Sequence, residues 1–492
     1  MPDSKKTQVV RIKPKSMLSQ LKKTLAIIFA TTIAMKLFVH GLSYPLQFRV
    51  NGDALEYLRI AEGLTDISTI ASYSGARTIG FPLFEKAIYF LISTYTESVF
   101  VLTWINSIGL VILSMHIIAS WLFATWAQQN SFIQRENTRL LLFCFLSTFP
   151  VLVGHTTAPV SDTLSVDLIL FGLVFLDRSM RNINLIFRIF LGFCSAFAFG
   201  YAVLVRPASV IGLTVALLIF GLVSLRGSHY SRLTFSVVAI GFVIVLTPSI
   251  INCSKKFGSY CLQSPQTFNV ILSSHVGLSG ARVLWTQPTE FPGSLPILSD
   301  EKMINDFYRR CHIKSIIGFN ETSFTGCLLQ NPLALPSFLA KKWIGLFDYF
   351  RFTPYLERVT PSWLRQLSRI YSAFVWIGFS ICIAATLQLT NRATWTTVKN
   401  NLIRNPGILL LTVYSVILLA QHTVLLTEER YGFPLIPLCT AIVFMYSEKL
   451  FLHFRTYKPW QILGVTLFCS LTLALFFFQI AEWDNSSYFA FK

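Results

Sequence analysis

Residues 24–42 read Thr24-Leu25-Ala26-Ile27-Ile28-Phe29-Ala30-Thr31-Thr32-Ile33-Ala34-Met35-Lys36-Leu37-Phe38-Val39-His40-Gly41-Leu42. A helix of this length and polarity can cross the apolar core of a bilayer, which takes about 17–25 residues. The basic residues Lys5, Lys6, Arg11, Lys13, Lys15, Lys22 and Lys23 precede it. The apolar run is long for a secretory signal, and no small-residue cleavage site follows. It reads as an uncleaved first span with a cytoplasmic N-terminus.

The rest of the chain continues in this manner. Of its 492 residues, 53% are hydrophobic and only 13% are charged, against about a quarter charged in a soluble domain. The net charge of +18 does not point to nucleic acid, because the Lys and Arg stand in short clusters between apolar runs. Further spans are laid out at 99–126, 140–155, 163–177, 189–205, 208–225, 233–251, 370–389, 407–426, 435–448 and 460–480. The expectation is an all-α polytopic membrane protein of about 11 transmembrane helices. It divides into a basic N-terminus (1–23), an N-terminal membrane module (24–251), a long loop (252–342) and a C-terminal membrane module (343–492).

Loop charges orient this plan. Loops assigned to the cytoplasm hold Arg135 and Arg139; Arg178, Arg181 and Arg188; Arg226 and Arg232; Arg392, Lys399 and Arg404; and Lys449, Arg455 and Lys458. Short loops on the other side hold only Arg206 and Arg430. This is the positive-inside bias, and an odd number of spans puts the C-terminus outside. Two outside loops are too long to be mere connectors: 43–98, within which 81–92 reads as an interfacial segment, and 252–342. Cys144, Cys194, Cys382, Cys439 and Cys469 fall in apolar runs and read as small hydrophobes. Cys253, Cys261, Cys311 and Cys327 fall in the long outside loop, where one or two disulfides of unreadable connectivity can form. No Cys/His spacing fits a metal site.

The polar residues at the outer edge are the candidates for chemistry. Asn51-Gly52-Asp53-Ala54-Leu55-Glu56-Tyr57 follows the first span. Asp53 with Glu56 three residues on fits a helix capping box; the competing reading makes Asp53 a general base at the membrane surface. Arg77 precedes Gly80-Phe81-Pro82 and reads either as a snorkelling interfacial arginine or as a fork for phosphate. Asp162 again fits a helix start. Asp167, inside a span, is costly in lipid. His155, Arg206-Pro207, Lys341-Lys342-Trp343 and Glu428-Glu429-Arg430-Tyr431 complete the set, with His422 just before the last of these. The glycosylation patterns at Asn320 and Asn485 are common by chance.

These motifs, taken in order from about residue 24 to 448, resemble the GT-C membrane glycosyltransferases. The branch they resemble holds the protein O-mannosyltransferases and the lipid A aminoarabinose transferases. Asp53 with Tyr57 and Ala61 resembles the family's first-loop acidic motif, and Arg77 through Pro82 its Arg-Pro-Gly-Tyr-Pro segment. Ser161-Asp162-Thr163-Leu164, Leu204-Val205-Arg206-Pro207, Thr247-Pro248 through Gly258 and Arg430-Tyr431-Gly432-Phe433-Pro434 resemble later family steps. Ala54 stands where protein mannosyltransferases usually carry Glu.

The resemblance implies an integral glycosyltransferase in a cell membrane, the bacterial inner membrane being the expected one. It would move a sugar from a polyprenyl-phosphate donor to an acceptor hydroxyl on a glycan, lipid or protein at the extracytoplasmic face, with inversion. Asp53 would be the base and Asp162 a second carboxylate. Arg77, Arg206, Lys341, Arg430 and Tyr57 would bind the lipid phosphate and substrate. No nucleic acid is expected as partner, and no cofactor or metal is required, a divalent cation remaining open. This reading expects Asp53, Asp162, Arg77 and Arg206 to converge on one site. A transporter or lipid flippase would place its polar groups near the midplane instead. A polymerase of lipid-linked glycans is the third reading.

Overall fold

The computed structural model describes residues 14–50, 52–73, 75, 77–95, 100–225, 229–262, 283–285, 296–298, 335–349, 352, 360–388, 405–424, 429–453 and 459–485. Most of the expected second long loop, with Cys311, Cys327 and Asn320, lies outside these residues. The described chain is helical apart from a short antiparallel pair, β1 (Val283–Trp285) and β2 (Pro296–Leu298).

Among the described residues eight helices are long and apolar enough to cross a membrane, or nine if one bent pair counts as a single span. The first is α1 (Pro14–Leu42). The segment after it, expected as a long loop, folds into α2 (Leu46–Arg49), α3 (Asp53–Gly63), α4 (Ile67–Ser72) and α5 (Gly80–Ser93). Asp66 caps α4 through a reciprocal pair with Thr69. Next come α6 (Val101–Gln129), the bent pair α7 (Glu136–Ser147) and α8 (Pro150–Thr156), α9 (Asp162–Arg181), α10 (Leu185–Val205), α11 (Val210–Leu225) and α12 (His229–Phe257). The C-terminal part holds α13 (Leu335–Phe347), α14 (Ser362–Gln388), α15 (Pro406–Val424), a 3-10 turn (Glu429–Leu435), α16 (Ile436–His453) and α17 (Pro459–Asn485). Two runs read as spans in the sequence are helical without meeting the span criterion. Of these, α9 carries Asp162, Asp167 and Asp177 and is buried almost throughout, and α15 is apolar over a shorter stretch, Gly407–Thr423.

The helix surfaces match a lipid environment. Phe187, Phe190, Phe193 and Phe197 recur every three or four residues of α10 and are all exposed. A helix that shows aromatic residues outward and buries small ones inward is the reverse of a soluble pattern. On its inner side α10 packs against α9 and α12 through small residues. Gly172 of α9 lies under the Phe199 ring, Gly200 faces Val245, and Ser195 Oγ donates to the Gly172 carbonyl at 2.8 Å. Close approach over small residues is the usual way that helices associate without a hydrophobic driving force.

Asp167 is explained by the bend. In a continuous helix the Leu146 carbonyl would accept from the N–H of residue 150, but Pro150 has none. The α7 and α8 axes diverge by 46° there. Leu146 O instead takes the Phe149 N–H at 3.2 Å and the His116 Nε2–H at 3.0 Å. Because Nε2 must donate to a carbonyl, His116 Nδ1 is left to share a proton with Asp167 Oδ1 at 2.9 Å. An acid buried inside the bundle thus holds the histidine that repairs a broken helix.

The basic end of the bundle is tied separately. Glu448 of α16 accepts the backbone N–H groups of Gln134 (2.8 Å) and Arg135 (2.6 Å) at the start of α7. Asn130, Asp177 and Arg181 close a second cluster at this end, the Arg181–Asp177 pair lying at 2.9 Å. At the far end of α12, Gly258 adopts φ +69°, which favours glycine, and stops the helix. Cys261 then turns back to form a disulfide with Cys253.

Candidate functional site

The site lies at the opposite end, where α8 and α10 finish, α3 and α9 begin, and the 3-10 turn leads into α16. Arg49 anchors its first element. It is buried, donating Nε to the Thr157 carbonyl at 2.8 Å and Nη2 to Asn106 Oδ1 at 2.8 Å. Burial lowers its pKa to about 10, so it stays charged. The chain then turns at Gly52, whose φ of +48° suits glycine, and enters α3.

Gly52, not Asp53, is the N-cap of α3, and no side chain caps it. This corrects the capping-box reading of Asp53 and Glu56. Their carboxylates face other partners. Asp53 Oδ1 pairs with the Arg77 guanidinium, and Asp53 Oδ2 receives Arg430 Nη1 at 3.0 Å. Glu56 Oε2 accepts Arg77 Nε at 2.8 Å. Arg77 therefore bridges two carboxylates rather than snorkelling. Burial pushes the Asp53 carboxyl up, but the charges of Arg430 and Arg77, and more distantly Arg206, outweigh it and hold the group below the usual carboxylate range. Burial pulls the Arg77 guanidinium down, but Asp53, Tyr57 and Glu56 outweigh it and raise its pKa.

Glycine explains how Arg77 arrives. The Tyr73 hydroxyl donates to the Arg77 carbonyl at 3.1 Å and shapes the turn before α5. At Gly80 a Cβ would run into the Leu204 backbone. Without one, α5 starts directly against the end of α10, and the Tyr201 hydroxyl fastens the contact by donating to Gly80 O at 2.8 Å. Arg206, one residue past α10, is brought in by the same contact.

Asp162 is the first residue of α9, and Ser161 before it makes no side-chain cap. The Asp162 carboxylate is buried and pairs with Arg206, and His155 Nδ1 lies 3.5 Å from its other oxygen. The end of α8 supplies His155, whose ring meets Phe433 edge-on. Two links join this pair to Asp53. Tyr57 Oη lies 3.5 Å from Ser161 Oγ. The Tyr431 ring carries Arg206 at 4.9 Å and Arg430 at 5.8 Å, with His422 stacked on it at 4.6 Å. Burial raises the Tyr57 phenol, so it remains a hydroxyl.

Of the residues singled out in the sequence, Asp53, Tyr57, Arg77, Asp162, Arg206 and Arg430 come together. The side chain of Lys341 lies outside the described residues. Its neighbour Lys342 is buried on α13, and burial lowers its pKa to about 7. Three residues carry no motif in the sequence: Arg49, Glu56 in its bridging role, and Glu85. Glu85 of α5 is buried next to the Trp104 indole, which donates to the Glu85 carbonyl oxygen at 2.8 Å. Neither carboxyl oxygen has a hydrogen-bond partner among the described residues, and burial pushes the group well up. Among the described residues no three His, Cys, Asp or Glu side chains are grouped to hold a metal.

What the arrangement offers chemically is a carboxylate with two guanidiniums at reach and a second buried carboxylate beside it. No known family model matches the chain, and no curated protein matches it.

Proposed function

We propose that the chain is an integral membrane glycosyltransferase of GT-C type, acting on a sugar linked to a polyprenyl phosphate. The observation that carries this reading is the meeting of Asp53, Arg77 and Arg430 in one ionic cluster, beside the Asp162–Arg206 pair. Sugar transfer from a phosphate needs a carboxylate near the acceptor hydroxyl and cations near the leaving phosphate. In the proposed reaction the acceptor oxygen attacks the anomeric carbon and Asp53 takes its proton. The bond from that carbon to the phosphate oxygen breaks, and its electron pair leaves with the lipid phosphate. Asp162, held by Arg206 and His155, orients the sugar. Arg77, Arg206 and Arg430 bind phosphate, Tyr57 contacts the substrate, and Lys341 extends the phosphate site.

In this reading all eleven apolar runs cross the membrane, with the N-terminus in the cytoplasm and the ionic cluster on the outer side. The basic end of the bundle, with Arg135, Arg139, Arg178 and Arg181, then faces the cytoplasm, in keeping with the positive-inside rule.

The test is a mass spectrum of envelope glycolipids and glycans from cells with and without the chain. A transferase predicts the loss of one defined sugar increment in cells lacking the chain. Unchanged spectra would refute the reading.

A further inference from the structure

We propose that Arg77 and Arg430 are shared between Asp53 and the phosphate of the sugar donor, and pass from the carboxylate to the phosphate as transfer proceeds. The idea rests on the transferase reading above and adds to it a device that keeps Asp53 from acting as a base until a lipid phosphate is bound.

Both Asp53 oxygens are occupied, Oδ1 by Arg77 and Oδ2 by Arg430 at 3.0 Å. A carboxylate held on both sides by guanidiniums is a stabilised anion and a poor proton acceptor. The charged and titratable groups around it are few. Arg77 comes from the turn before α5, Arg430 from the 3-10 turn, and Arg206 from the end of α10; Glu56 and Tyr57 lie on its own helix, and both interact with Arg77. Glu56 also holds Arg77 Nε at 2.8 Å. The carboxylates of the site thus pair with its own cations.

The charge changes of the reaction fit an exchange. A sugar joined to a polyprenyl phosphate is a phosphodiester with one negative charge. Breaking the bond to the anomeric carbon leaves a phosphomonoester that gains a second. In the same step Asp53 accepts the acceptor's hydroxyl proton and loses its charge. One negative charge disappears at the carboxylate and one appears at the phosphate. Arg77 and Arg430 are placed to follow it, since a guanidinium presents five donors and can bridge two anions.

Exposure separates the working pair from the fixed one. The Arg77 and Arg430 side chains are 29% and 18% exposed, so a phosphate can reach them. Arg206 and Asp162 are 10% and 2% exposed. Their pairing is enclosed, so Arg206 acts on the phosphate as a fixed charge that stays on Asp162 while Arg77 and Arg430 change partners.

The exchange makes Asp53 a competitor of phosphate for the two arginines, and this can be measured without turnover. Binding of a polyprenyl monophosphate to the full-length protein in nanodiscs is compared for wild type, Asp53→Asn, Arg77→Ala/Arg430→Ala, and the triple variant, with inorganic phosphate as a second ligand. Asn keeps the shape of Asp53 but frees the arginines, so Asp53→Asn is expected to bind the lipid phosphate about tenfold more tightly, the worth of roughly one charge-assisted contact. In the background lacking both arginines the same substitution is expected to change nothing. Equal or weaker binding by Asp53→Asn overturns the exchange, and so does a gain that survives removal of both arginines. A gain seen only with inorganic phosphate overturns its assignment to a lipid donor. Loss of the sugar increment together with these binding outcomes would leave the transferase reading standing without the exchange. If neither wild type nor any variant binds the lipid phosphate, both ideas fail.

Discussion

Asp53 and Arg430 are 377 residues apart in the chain and meet at 3.0 Å. The contact joins the first segment after α1 to the turn that leads into α16, and so ties the two ends of the sequence at one site. Because the two arginines hold the Asp53 carboxyl below its ordinary value, the sign of its contribution to stability is fixed. That contribution is present above the unfolded-state value, about pH 4, and is lost as pH falls through the lower folded-state value. Arg430→Ala is expected to lower stability by about 1 kcal/mol at neutral pH, as for a partly exposed ion pair. Unfolding followed in detergent across pH checks this. The gap between variant and wild type should close in acid.

Gly80→Ala places a methyl group against the Leu204 backbone. Overpacking of this kind costs about 1–3 kcal/mol. The expected outcome is a folded protein with α5 displaced from α10 and sugar transfer much reduced, because Arg77 and Arg206 approach the site through that contact. Full transfer by Gly80→Ala would show that the close approach is not needed.

The His116–Asp167 pair predicts a contrast between two substitutions. Asp167→Asn can still bond His116 Nδ1 and should stay within about 1 kcal/mol of wild type. Asp167→Leu leaves that nitrogen unpaired and should cost about 1–3 kcal/mol. Equal stabilities for the two variants, measured by unfolding in detergent, would remove the pair from the account of the bend at Pro150.

Glu85 gives the opposite sign to Asp53. Its folded-state value is raised by burial, so the folded chain binds more protons than the unfolded one between the ordinary carboxylate value and the raised one. Its contribution is fully present below about pH 4 and declines as pH rises. Glu85→Gln does not titrate and should be more stable than wild type at neutral pH by about 1 kcal/mol or more, with the difference vanishing in acid. A constant difference at all pH values would mean that the Glu85 carboxyl does not carry the dependence.

Much of the helix plan was legible because apolar runs bounded by basic clusters leave few alternatives. Arg206 and Arg430 stood out as the only basic residues of the short outside loops, and Arg77 by its place before Gly80-Phe81-Pro82. The pairings were not legible. Local spacing favoured a cap at Asp53, and only the turn at Gly52 shows that the helix begins one residue earlier, at Asp53 itself, than a cap there would need. His116 is a lone histidine in an apolar run, and its link to Leu146 depends on a proline in another helix. Glu85 sits in a segment whose charges suggested that it lies in the interface, and only the packing of α5 on α6 and α10 buries that side chain. Arg49 resembles any basic residue flanking a span, and only the fold supplies Thr157 and Asn106.

The central claim is that Asp53 is the base of a sugar transfer, and its most direct test is Asp53→Asn expressed at matched level in cells lacking the wild-type chain. Their envelope glycolipids and glycans are compared by mass with those of cells carrying the intact chain. The account predicts that one sugar increment present with the intact chain is absent with Asp53→Asn, while the variant protein remains folded in the membrane. A variant that restores the increment in full would contradict it.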